Sequence, residues 1–140
     1  MNSDNIFVVL TSILNFMFFV SGWDKLLHFD KVVTGLSNRL KVIWMMPLIV
    51  YKFLVFCGLA IEIICPVVIF YSALQRNKEN DRRGFYASLL LIIFTILATL
   101  FYHFPPTTSS KYYPFMSNLS LVGGLGLMTA VFYRNVHFIP

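Results

Sequence analysis

The chain has 140 residues, 58% of them hydrophobic and only 12% charged, with a formal net charge of +5. So little charge does not furnish the surface of a soluble domain of this length, so the composition indicates an all-α polytopic membrane protein with a single domain. No apolar run alternates with period two, which argues against a membrane barrel. The basic residues gather at the ends of apolar runs, where they orient the chain and meet lipid headgroups, and no nucleic-acid motif accompanies them.

The first predicted span covers about residues 5–22. It lacks the basic leader and small-residue cleavage site of a signal peptide and reads as retained. Asn15 lies mid-span, with Thr11 and Gly22 on the same helical face, and that face is expected to point into a bundle. The stretch Trp23 to Trp44 interleaves apolar residues with Lys25, Lys31, Arg39 and Lys41. It suits an interfacial amphipathic helix with Trp23 and Trp44 at headgroup level and Gly35 as a candidate break.

The second span, about 47–73, opens on Pro47, well placed in a first helical turn. Lys52 follows close behind and can snorkel. Near the middle stands Glu62. An ionisable group at that depth is costly unless neutral or paired, which makes it a functional candidate by default. Pro66 comes four residues later and removes the helix bond to the Glu62 carbonyl. The plainer reading is a protonated tie to a neighbouring helix beside a tolerated kink. Cys57 and Cys65 lie about 12 Å apart along this helix and cannot pair with each other.

Gln75 to Gly84 reads as a water-exposed connection. The third span, about 85–104, carries Ser88, Thr95, Thr99 and His103 close to one stripe, although such hydroxyls often bond only their own backbone. Pro105 to Pro114 is expected to break the helix twice. The fourth span, about 115–133, contains Asn118, within a glycosylation sequon that lies too near the membrane for use. It also groups Ser120, Gly123, Gly124 and Gly126, and Gly126 with Ala130 forms a small-xxx-small pair suited to close helix packing. The result is a four-transmembrane-helix bundle with an interfacial segment between helices 1 and 2. Both termini fall on the side of the Gln75–Gly84 loop. Basic residues are nearly balanced between the two sides, and the dense cluster of that loop favours cytoplasmic termini.

Counting along the spans gives two placements. Lys25, Lys52, His103 and Lys111 should share one rim, opposite Arg82 and Arg83, where an anionic headgroup could bind. Glu62 is about ten residues, or 15 Å, above the floor set by the Gln75–Gly84 side. The same count puts Asn15, Thr95 and Gly124 in its layer. Asn15 or Thr95 is then its expected partner, with Gly124 leaving room beside it, and Lys25 and His103 are expected to lie too high to pair with it.

Ser21-Gly22-x-x-Lys25 at the end of the first span, an interfacial segment, a central Glu62, and Asn118 ahead of Gly123-Gly124 together resemble the DoxX-like family of small four-helix membrane proteins. The resemblance covers nearly the whole chain. It implies a four-helix bundle and an association with membrane redox chemistry, some relatives being subunits of quinone-linked oxidoreductases and more distant ones cargo receptors or chaperones. It marks Gly22, Lys25, Glu62 and Asn118 as structural or functional positions. No redox centre is legible among three scattered histidines and two separated cysteines. The leading expectation is an accessory membrane subunit that binds a partner or a lipid-soluble small molecule such as a quinone. The alternatives are a chaperone or cargo adaptor for other membrane proteins, and a small proton or solute transporter using Glu62, which as one four-helix unit would work as a homo-oligomer. A stand-alone enzyme is the least supported.

Overall fold

Each apolar run folds as one helix, and the polar punctuation between runs sets the ends. The computed structural model describes residues 3–41 and 45–138. Five helices follow in order: α1 (Ser3–Leu27), α2 (Phe29–Leu40), α3 (Leu48–Leu74), α4 (Lys78–His103) and α5 (Ser109–Phe138). Four of them, α1, α3, α4 and α5, are long and apolar enough to cross a membrane. The interfacial segment is α2, which runs unbroken through Gly35. Trp44, expected at its far end, lies outside the described residues.

Three boundaries differ from the sequence reading, each for a local reason. The first span does not stop at Gly22 but continues to Leu27, because the residues after it, Trp23 to Leu27, contain no breaker. The hydrophilic connection shrinks to Gln75–Asn77, and the charged run becomes the start of α4. There the Asn77 side chain caps the helix by accepting the Asn80 N–H at 2.9 Å. Glu79 and Asp81 sit in the first turn, where negative charge offsets the helix dipole, and Arg83 pairs with Glu79 one turn on. Pro114 does not break α5 but lies inside its beginning, early enough that only one intrahelical bond is forgone.

The spanning helices run antiparallel in sequence order, α1 on α3, α3 on α4 and α4 on α5, while α1 touches α5 only lightly. Phe18, Cys65, Ile69, Leu91, Leu125 and Phe132 form the main core. A second cluster, Val33, Leu36, Tyr51, Val55 and Leu59, holds α2 against the first half of α3. The outward faces carry large apolar side chains such as Leu10, Phe16, Phe53 and Leu127, as contact with lipid requires.

Helices α4 and α5 are stitched by hydroxyls and amides. The Thr129 and Ser88 hydroxyls are 2.9 Å apart, and Asn118 donates to Thr99 Oγ1 at 3.0 Å. The small residues of α5 contribute less than the sequence suggests. A Cβ on Gly123 or Gly126 would meet nothing within 4 Å, so neither supports close packing within the chain. The tight glycines are Gly22, Gly58 and Gly84, joined on α5 by Gly124, where a Cβ would stand 3.3 Å from Leu14 Cδ1.

Candidate functional site at the α1–α3 interface

The inward stripe of α1 reads Thr11, Asn15, Phe18 and Gly22, all buried, and ends at the partly buried Lys25, spaced four, three, four and three residues. That spacing keeps all five on one helix face, and the face packs on α3. Gly22 allows the closest approach: a Cβ there would stand 3.1 Å from Ile63 Cγ1 and 3.3 Å from Glu62 Cβ. One turn further, Lys25 Nζ donates to Glu62 Oε1 at 2.5 Å. The Glu62 side chain is 5% exposed and that of Lys25 37%. The pair therefore reaches from the bundle interior toward its edge, with the carboxylate inside and the ammonium at the way out.

Glu62 thus faces the bundle, but its partner is not the expected one. Lys25, counted as too high, is the side chain bonded to it, and neither Asn15 nor Thr95 bonds it. The layer of Asn15, Glu62, Thr95 and Gly124 does not form around the carboxyl. The reason is register. The count set Asn5 level with residue 72, whereas Phe7 lies under the Arg76 guanidinium, 4.9 Å from ring to Cζ. This slides α1 along α3, so that Gly22 rather than Asn15 comes level with Glu62, a shift of about two turns or 10 Å. The room beside Glu62 comes from Gly22, while Gly124 packs on Leu14. Thr95 is buried but donates to Leu91 O on its own helix.

Several buried polar atoms near this face have no hydrogen-bond partner: Glu62 Oε2, both amide atoms of Asn15, and Thr11 Oγ1. The three residues are 4%, 5% and 1% exposed. An unsatisfied buried polar group costs about 1–3 kcal/mol, so this strip of α1 and α3 is suited to a hydrogen-bonding guest. An open groove of about 570 Å³ lined by Asn5, Val8, Val9, Ala73, Leu74 and Arg76 opens at the opposite end of the same interface.

At the rim, Arg39 of α2 stacks over the Tyr102 ring at 5.1 Å and donates through Nη1 to Tyr102 O at 2.5 Å. The charges of Arg39, Lys25 and Lys111 all act on the His103 ring. Lys52 is exposed. Arg39 was not singled out by the sequence, and its only signal there was a basic residue on a short amphipathic segment. A second cluster went unread at the other end, where Asp81, 5% exposed, has Arg76 Nε at 3.8 Å and the Asn135 side chain beside it.

Four apolar spans, an interfacial helix after the first, and an acid in the second paired to a lysine at the end of the first define a small polytopic membrane protein built around an intramembrane ion pair. The chain belongs to the DoxX family, whose model matches residues 8–104. That match takes in α1 to α4 and hence Gly22, Lys25, Glu62 and His103, while Asn118 lies beyond it. No curated protein and no solved structure matches the chain.

Proposed function

We propose that this DoxX-family protein is an accessory membrane subunit that binds a lipid-soluble, quinone-like small molecule beside a membrane redox system. The observation that carries the reading is the Lys25–Glu62 pair with Glu62 Oε2 left free and buried. A quinone carbonyl accepts a hydrogen bond and a quinol hydroxyl donates one. The Lys25 ammonium can supply the first, and the free carboxylate oxygen can take the second. Lys25 is the more exposed of the two and is the end through which a headgroup would approach. Binding of this kind needs an apolar site with a few fixed polar groups, and Gly22 keeps α1 close enough to α3 to fix these two.

The test is extraction of lipid-soluble cofactors from protein purified in mild detergent, read by mass spectrometry. Wild type should retain an isoprenoid quinone in near-stoichiometric amount. Glu62→Gln and Lys25→Met, checked for monodispersity, should retain at least about tenfold less, one to two charge-assisted hydrogen bonds being lost. Absence of quinone from wild type even after reconstitution with added quinone, or equal retention by the variants, would overturn the reading.

A further inference from the structure

The hydroxyls of the spanning helices mostly bond their own backbone, and Thr11 departs from this. Ser12, Ser72, Ser88, Thr95, Thr99 and Thr129 each donate to a carbonyl three or four residues back on the same helix. Thr11, 1% exposed, and Asn15, 5% exposed, stand one turn apart on α1. Among the described residues neither Thr11 Oγ1 nor either amide atom of Asn15 has a hydrogen-bond partner. The neighbouring helices explain why. Phe7 beside Arg76 and Gly22 beside Glu62 fix the register of α1 on α3, which brings Thr11 level with Ala73 and Asn15 level with Ile69. Both of those are apolar and buried, and the Ser72 hydroxyl next to them donates to Val68 O at 2.7 Å. On α5, Phe132 against Phe7 and Gly124 against Leu14 bring Met128 to the level of Thr11. The hydroxyls near that level, Ser88 and Thr129, are bonded to each other.

Hydrocarbon neither donates nor accepts hydrogen bonds, so lipid cannot satisfy these atoms. Side chains four residues apart on a helix have Cβ atoms about 5–6 Å apart. One water molecule bridges two polar atoms over a similar span, about twice 2.8 Å. We infer that Thr11 and Asn15 form a buried binding site for water at the middle of the membrane, between α1 and α3. The groups are complementary to that guest. The Asn15 side chain donates through its NH2 and accepts through its carbonyl, and the Thr11 hydroxyl does either. Buried waters typically make about three hydrogen bonds, and this pair supplies them. The groove at the Arg76 end is the mouth of the site. Val8 and Ala73 line it, and Thr11 is the next turn of α1 after Val8, level with Ala73. Phe18 follows Asn15 on the same face, apolar and buried, and ends the polar strip before Gly22. The site uses neither Lys25 nor Glu62, so it stands or falls apart from the quinone reading.

The experiment is water-to-protein magnetisation transfer by solid-state NMR on the full chain in lipid bilayers, with thermal unfolding alongside. In wild type the Asn15 side-chain amide should receive water magnetisation well above the buried backbone amides of Ile69 and Leu125. Thr11→Val, nearly the same shape, should lower that transfer about fivefold, one hydrogen bond to the water being lost, and should lower the Tm. The sign of the Tm change discriminates, because deleting a buried hydroxyl that bonds nothing removes a desolvation cost and stabilises. Thr11→Ser, which keeps the hydroxyl, should retain the transfer. Should Thr11→Val fail to fold, Thr11→Ala should show the same loss. Thr95→Val removes a hydroxyl bonded to Leu91 O and should leave Asn15 as in wild type. Val8→Phe, in the wall of the groove, should slow deuterium exchange at the Asn15 side-chain amide severalfold and leave that of Asn118 unchanged. An Asn15 amide as dry as Ile69, a Thr11→Val variant more stable than wild type, or an equal loss of transfer from Thr95→Val would overturn the site. Unchanged exchange in Val8→Phe would overturn the groove as its mouth.

Discussion

Removing one member of a buried ion pair costs more than the pair contributes, because the survivor is left charged in an apolar setting. Here the asymmetry has a direction. Lys25 is partly exposed and Glu62 is not. Losing Glu62 lets Lys25 turn out to water or headgroups, whereas losing Lys25 strands a buried carboxylate. Lys25→Met should therefore destabilise by about 3–5 kcal/mol and Glu62→Leu by roughly half of that, with the double variant recovering most of the loss. A double-mutant cycle on thermal or denaturant unfolding in detergent checks this, and purely additive losses would contradict it. The glycines give a second residue-scale expectation. At Gly84 a Cβ would stand 2.7 Å from the Phe132 ring, while at Gly126 it would meet nothing. Gly84→Ala should cost about 1–3 kcal/mol through overpacking. Gly126→Ala should be neutral or stabilising by about 0.5–1 kcal/mol, since alanine suits a helix better than glycine. Glu62 could be singled out in the sequence because a lone acid in an apolar run is costly whatever surrounds it. Lys25 as its partner could not, since that depends on where α1 lies along α3.

Among the elements, α2 shows how an interfacial helix is retained. Its polar side faces outward, while Val33, Leu36 and Ser37 are buried against Tyr51, Val55 and Leu59. An aspartate at Val33, which is 2% exposed, would bury an unpaired charge and should detach α2 rather than unfold the spans. Hydrogen exchange should then rise sharply across 29–40 and stay low in α3 and α4. The same detachment would carry Arg39 away from Tyr102. The amphipathic pattern of this segment was readable as periodicity. The helical start of α4 was not, because its charges resemble a loop until the Asn77 cap and the Glu79–Arg83 pair are seen to organise them.

For the whole molecule, antiparallel packing brings Phe7, Arg76, Asp81 and Asn135 together at one end and Lys25, Arg39, His103 and Lys111 at the other. Single cysteines introduced at Lys52 and Arg83, in a chain whose Cys57 and Cys65 are replaced, should react with an impermeant thiol reagent from opposite faces of sealed vesicles. Labelling of both from one face would break the four-span arrangement. The light contact between α1 and α5 leaves α1 dependent on α3 for its anchorage. The Lys25–Glu62 pair and the Gly22 approach consequently act as the α1 lock, and Gly22→Leu should loosen α1 first, visible as faster exchange in 3–27 than in α4 and α5.

The sequence by itself determined the membrane class, the four spans, the interfacial helix and the burial of Glu62, because each follows from local apolar length, local periodicity or the cost of a charge in hydrocarbon. Only the tertiary structure decided which groups meet. Counting residues from a common floor assumes that helices start level, and a slide of about two turns between α1 and α3 changes every cross-helix pair on that face. It put Gly22 and Lys25 where Asn15 was expected, left Asn15 and Thr11 without partners, and with the fold of α2 brought Arg39 onto Tyr102. Relative register is set by how side chains of different helices fit together, and no single run of sequence contains that information.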